Sequence, residues 1–307
     1  MRYFDAHCDT ITKCMEKDEG LWSNSCHIDL LKALEFSAYA QVMAIWINDD
    51  IKGSEASERF FATYEYFSSQ LEKLADKISV CRSANDYHTA LLMKKVPFFL
   101  AAEGCHVFGG NIDNIGRLYD MGVRICTITW NADNELASGC MSPNDKGLSA
   151  LGRRMLSEMI KRKIIIDLSH IGERGFWDIV SLGGACICSH SNLKSVHDHP
   201  RNITDEQFRA LAGTGGGCGI NLYPAFIGGN GFEDIYRHVE RFMELGGEDS
   251  LFIGADFDGV DSLPDGIRTV KDIGALYDFF IRKNMGIDLL DKLFYRNLER
   301  IITSAIG

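Results

Sequence analysis

Hydrophobic residues along this chain fall into short unbroken runs, separated by longer stretches in which apolar positions recur every three or four residues. Eight runs have strand length: Tyr3 to His7, Ala38 to Ile47, Val96 to Ala102, Val123 to Trp130, Ile164 to His170, Ala185 to His190, Gly217 to Leu222 and Leu251 to Ala255. They are nearly continuous rather than alternating, which fits parallel strands covered on both faces. The stretches between them read as helices. Ser149 to Lys161 places Leu151, Met155, Leu156 and Met159 on one face, and Thr204 to Ala212 opens with Thr204 and Gln207 at capping-box spacing. Phe232 to Leu245 and Ile273 to Lys283 repeat the pattern, and Phe60 to Leu74 spaces its aromatic residues for packing. Gly246 and Gly286 stand where helices would end, and Gly183-Gly184 breaks the chain before a strand. This alternation predicts an α/β fold of the (β/α)8 TIM-barrel type; an open doubly wound sheet is the second architecture it allows.

With 307 residues, five prolines and no low-complexity stretch, no linker divides the chain, so residues 1–307 are expected to form one barrel domain. The net charge of -11 and the lack of a prominent Lys/Arg run argue against a nucleic-acid or anionic-membrane partner. The segment MRYFDAHCDT has no apolar signal core, and no later segment is apolar for the roughly 18 residues of a membrane span, so a cytoplasmic protein is expected. Ten scattered cysteines without CxxC pairs read as reduced, mostly buried thiols. Gly213 to Gly217 precedes a strand and has no lysine after it, which excludes a phosphate loop.

Candidate chemistry lies at the ends of the apolar runs. His7 and Asp9 close the first, Glu103 follows the third, His170 and His190 end the fifth and sixth, and Asp256 follows the eighth. In a barrel these residues share the C-terminal rim, where such folds build active sites. Each has a bland reading on its own, because a single histidine at a strand end is usually structural. Together they place several imidazoles and carboxylates beside apolar runs. A carboxylate there needs a cationic partner, either a metal or an ion pair with Arg124 or Arg153. Five or six such groups exceed what one zinc needs, and two ions sharing a carboxylate are expected. The other histidines read as surface residues or supporting neighbours, with His106 singled out for its closeness to Glu103.

At this point a resemblance is visible, carried by His7-Cys8-Asp9, Ala102-Glu103-Gly104, Gly122-Val123-Arg124, Ile166-Asp167-Leu168-Ser169-His170, Ser189-His190-Ser191, Pro200-Arg201-Asn202 and Ile253 to Gly259. Nearly end to end, the chain resembles the membrane (renal) dipeptidase family of zinc peptidases, within the amidohydrolase group of barrels. The resemblance implies two Zn2+ ions per chain, one held by His7 and Asp9, the other by His170 and His190, with Glu103 bridging them. It implies that Arg201 binds the substrate carboxylate, that Asp256 transfers the proton, and that the protein is a homodimer. Where better-known members carry a carbonyl-polarising histidine, this chain has Trp130, which cannot carry positive charge. Trp130, Asn131 and Tyr223 are taken as substrate-binding candidates, and Glu103 is counted with Asp256 among the catalytic residues.

The expected reaction is hydrolysis of small dipeptides, L,D-dipeptides included, by a two-zinc-activated hydroxide. Asp256 would take the proton from the nucleophile and return it to the departing amine. A related amidohydrolase acting on N-acyl amino acids or cyclic amides is the nearest alternative, favoured by Trp130. A metal-binding barrel without catalysis is the alternative of another class.

Overall fold

The computed structural model describes residues 1–307 and holds nine strands: β1 (Arg2–Cys8), β2 (Ala38–Trp46), β3 (Ile78–Val80), β4 (Val96–Glu103), β5 (Val123–Thr127), β6 (Ile165–Asp167), β7 (Cys186–Cys188), β8 (Gly217–Ile220) and β9 (Leu251–Ile253). All pairings are parallel, in the order β2-β1-β9-β8-β7-β6-β5-β4-β3, and a further pairing of β2 with β4 closes the sheet. Eight strands therefore form the barrel, which decides against the open sheet. β3 lies outside it: Val80 pairs with Phe98 of β4 before β5 begins its own pairing with β4 at Leu100. Its residues Ile78-Ser79-Val80 are only partly covered and lie between Lys77 and Arg82, so no apolar run of strand length marks them, which is why the sequence pattern does not reveal β3.

Two apolar layers hold the fold. Inside the barrel, Phe4, Ala40, Val42, Phe99, Ile125, Ile165, Ile187 and Phe252 pack against Tyr295, Leu298 and Ile302, so the C-terminal helix Asn297–Ile306 closes the lower end. Outside it, residues such as Met43, Ile45, Leu100, Cys126 and Ile166 meet the surrounding helices. The capping box of Thr204 and Gln207 starts helix Asp205–Gly213, and Ser149 accepts from the Gly152 N–H at the start of helix Ala150–Lys161. Gly286 departs from expectation. It stands at the start of helix Ile287–Asp291 with extended geometry, while the left-handed residue after helix Ile273–Arg282 is Asn284. Asn tolerates that conformation through its short polar side chain, so glycine is not required there. All ten cysteines are free thiols, nine of them buried. No helix is long and apolar enough to cross a membrane.

Candidate metal centre

An irregularity in β1 aims the first pair of residues. From Asp5 to Cys8 the strand advances three residues while β2 advances two, from Gln41 to Met43. This extra residue switches the alternation, so that Cys8 faces outward, its Sγ 3.4 Å from Met43 Sδ, and His7 turns into the barrel mouth. Asp9 follows at the start of helix Thr10–Lys17. Glu103 is the last residue of β4, in register with Trp46 of β2 and Thr127 of β5. The three remaining residues leave regular strand. His170 lies beyond β6 at φ +68, its carbonyl accepting from the Cys140 N–H at 2.7 Å and the Thr129 hydroxyl at 3.1 Å. His190 lies beyond β7 on a segment packed tightly against β8 and β9: a Cβ on Gly219 or Gly254 would sit 2.0 or 1.8 Å from the Ser189 carbonyl oxygen. Asp256 lies beyond β9 at φ +63 and accepts from Asn221 Nδ2 at 2.8 Å.

These six side chains converge. His7 Nε2 is 3.6 Å from Asp9 Oδ2, 3.2 Å from Glu103 Oε2 and 4.0 Å from Asp256 Oδ1. Glu103 Oε1 is 3.1 Å from His170 Nε2 and 3.7 Å from His190 Nε2, and those two nitrogens are 2.8 Å apart. The surrounding bonds assign the protons. His170 Nδ1 can only donate to Asn131 Oδ1, 2.9 Å away. Ser189 Oγ donates to Asp167 Oδ2 at 2.6 Å and so accepts from His190 Nδ1 at 2.7 Å. Both Nε2 atoms consequently present lone pairs to each other and to a carboxylate oxygen, and a divalent cation bound among them would relieve that repulsion. His7 Nε2 and Asp9 Oδ1 are shielded from water and make no hydrogen bond. The donors fall into one group of Glu103, His170 and His190 and another of His7, Asp9 and Asp256, with Glu103 Oε2 3.2 Å from His7 Nε2, and this set of imidazoles and carboxylates fits divalent ions such as zinc. Asp167, although close to His190, is already engaged by the Thr127 hydroxyl and the Ser169 and Ser189 amides, at 2.7, 3.0 and 2.8 Å, and acts as a strut beneath the site.

The electrostatics differ between the two sides of the cluster. Burial holds His170 and His190 well below the ordinary histidine range, helped by the nearby Arg201 and His7 charges, so both are neutral and free to coordinate. Burial also opposes protonation of His7, but the Glu103 and Asp9 carboxylates outweigh it and raise its pKa well above normal. Glu103 is pushed up to about 8 by burial, against the His7 charge. Asp256 is raised for the same first reason. Neither carboxylate pairs with an arginine: Arg124 donates to the Arg82, Tyr119 and Val123 carbonyls, and Arg153 pairs with Asp178.

Above the cluster opens a cavity of about 610 Å³ lined by Asp9, Glu103, His170 and Asp256, together with Trp46, Trp130, Asn131, Tyr223 and Phe226. Arg201 is buried in the adjoining 410 Å³ cavity, which shares His170; it donates from Nη2 to the His190 carbonyl at 3.1 Å, and its Nε has no partner. Two histidines differ from the surface reading. His238 is fully buried, accepting from the Leu193 N–H and donating to the Ile227 carbonyl, because its helix packs that face inward. His106 is buried as well, with both ring nitrogens unpartnered, and stays outside the converging groups. Asp167 and Ser189 are visible in the sequence only as members of the motifs that carry the resemblance, and Asn221 not at all, because a hydroxyl, an amide or a carboxylate beside a strand end carries no pattern that shows what it will support.

The profile of the family described as membrane dipeptidase, peptidase family M19, matches residues 1–306. A Klebsiella pneumoniae protein described as uncharacterized is 31% identical over 242 residues, covering 74% of this chain and 89% of its own length. An uncharacterized dipeptidase of Schizosaccharomyces pombe is 30% identical over 218 residues, covering 68% of this chain and 53% of its own, so the match spans about half of that relative. Among solved structures, the metallopeptidase dipeptidase AC superposes with a TM-score of 0.92 at 24% identity, covering 100% of this chain and 99% of its own. A Rhodobacter sphaeroides metallopeptidase liganded with a phosphinate mimic of the dipeptide L-Ala-D-Ala gives 0.92 at 23% identity and 99% coverage of both chains. The chain belongs to the membrane dipeptidase family, peptidase family M19, a family of metallopeptidases that hydrolyse peptide bonds.

Proposed function

We propose that this protein hydrolyses the amide bond of small dipeptides with two zinc ions, His7 and Asp9 holding one, His170 and His190 the other, and Glu103 both. The observation that carries this reading is the 2.8 Å approach of the His170 and His190 Nε2 lone pairs beside Glu103 Oε1, with no lysine or arginine paired to any of the three. When bound, such ions lower the pKa of water and polarise a carbonyl, supplying nucleophile and electrophile at neutral pH.

The chain's own residues do the rest. Arg201 receives the substrate carboxylate, which limits the substrate to a length that brings the scissile bond over Glu103. Asp256, held through Oδ2 by Asn221, takes a proton from the attacking water at its free Oδ1 and delivers it to the departing amine. One C–N bond breaks, one C–O bond forms, and a carboxylate and an amine leave. Trp130 presents only a neutral N–H donor, so it supports the carbonyl less than a charged histidine would. That same residue favours the alternative substrates, N-acyl amino acids and cyclic amides, which belong in the test as a separate arm. The test is zinc content per chain of protein purified without chelator, with hydrolysis of L,L- and L,D-dipeptides before and after metal removal. Two zinc ions and metal-dependent cleavage are expected; the absence of bound metal refutes the reading, and cleavage of acyl amino acids alone transfers it to the alternative.

A further inference from the structure

The wall of the cavity is divided by chemistry. Apart from the cluster residue Glu103, its charged members, such as Lys13, Glu16 and Asp261, follow β1 and β9, whereas its two tryptophans, Trp46 and Trp130, stand over the β2, β4 and β5 side, and Tyr223 and Phe226 follow β8. Their rings meet edge to face, centroids 5.1 Å apart at 67°, and the Trp130 ring lies 6.3 Å from that of His170. Packing alone does not account for the pair. The stacked Phe4 and Phe99 inside the barrel are fully buried, but Trp46 and Trp130 are half-buried and line the opening. The Trp46 indole N–H is shielded from water and has no acceptor, a cost that phenylalanine would avoid.

We infer that the Trp46–Trp130 wall receives the side chain of the substrate's N-terminal residue and selects dipeptides that are large and apolar or aromatic at that position. The inference rests on the dipeptidase reading with Arg201 as the carboxylate partner. Arg201 comes from the segment after β7, 5.2 Å over the Phe226 ring beyond β8, and β7 and β8 lie across the closed barrel from β2, which carries Trp46, and β4. With the carboxylate on that side and the scissile carbonyl over Glu103, the residue preceding the scissile bond falls against the two indoles. Their flat faces bury a large apolar group, and because each ring is held by the other, little side-chain freedom is lost on binding.

The test compares kcat/KM of the zinc-loaded protein for Xaa-Ala and Ala-Xaa dipeptides, with Gly, Leu, Phe and Arg as Xaa. Phe-Ala and Leu-Ala are expected to exceed Gly-Ala by about tenfold or more, while the Ala-Xaa series varies less. Trp130→Ala should shrink the Phe-Ala to Gly-Ala ratio to about threefold or less, and Trp130→Phe should retain most of it. A ratio taken on one sample cancels the fraction of active protein; if Trp130→Ala turns over nothing, Trp130→Leu supplies the comparison. A flat Xaa-Ala series, a preference for Arg-Ala, or a ratio unmoved by the Trp130 variants overturns this inference and leaves the dipeptidase reading intact. No cleavage of any dipeptide overturns both.

Discussion

Replacing Asn131 with alanine removes the acceptor that holds the proton on His170 Nδ1, 2.9 Å away. Without it the imidazole is free to move its proton to Nε2, where no lone pair remains for a metal. The ring itself should stay in place, because the His170 backbone is held independently by Cys140 and Thr129. The lost hydrogen bond contributes about 1 kcal/mol to stability, and partners of this kind typically govern metal affinity by about 10–100-fold, or about 1.4–2.7 kcal/mol. Competition between the apoprotein and a zinc-binding dye near neutral pH should therefore show two steps, one weakened by that factor and one unchanged. Asn131→Asp, a stronger acceptor, should bind at least as tightly as the wild type. Two unchanged steps would refute the tautomer argument. If they were accompanied by a raised KM for dipeptides, Asn131 would instead be the substrate contact expected from its place beside Trp130.

Three further outcomes follow from particular contacts. A Cβ at Gly259 would sit 2.2 Å from Asp9 Oδ2 and 2.4 Å from Asp256 Oδ1, so Gly259→Ala should lower zinc content by about one ion per chain while leaving the circular dichroism spectrum near wild type; full zinc content with unchanged activity would show that the carboxylates move freely. Arg201→Lys keeps the charge but loses the two-pronged donor, and should raise the dipeptide KM by about tenfold with a smaller effect on kcat; an unchanged KM would remove Arg201 from substrate binding. Burial, against the bond to Ile227, holds His238 down at about 4, so the folded chain refuses a proton that the unfolded chain binds below about 6.5. Its contribution is complete above that pH and lost as pH falls towards 4, on the order of 3 kcal/mol in all. Urea midpoints should accordingly fall less steeply with acid in His238→Gln than in the wild type, and parallel curves would contradict the assignment.

The rim residues were legible because each follows an apolar run, and a run ending in His, Asp or Glu says both where a strand stops and what chemistry sits there. Direction was not. Continuous hydrophobicity carries no alternation to show which residues face inward, and the inward turn of His7 depends on an irregularity between Asp5 and Cys8 that arises only when β1 pairs with β2. From Val123 onward the runs overshoot the strands at their C-terminal ends. Ile164 to His170 reads as a single strand, yet regular pairing ends at Asp167, and His170 reaches the centre through a left-handed turn. Apolar residues continue past the strand because the loop is itself buried, so hydrophobicity reports burial and not backbone geometry. The same limit explains His238 and Asn131. A histidine on a helix and an amide after a strand each have several uses, and only the groups brought opposite them, the Leu193 amide and the Ile227 carbonyl in one case and His170 in the other, select among those uses. Residue identity at a strand end therefore locates a site, while the tautomers and orientations on which its chemistry depends belong to pairs of residues far apart in the chain.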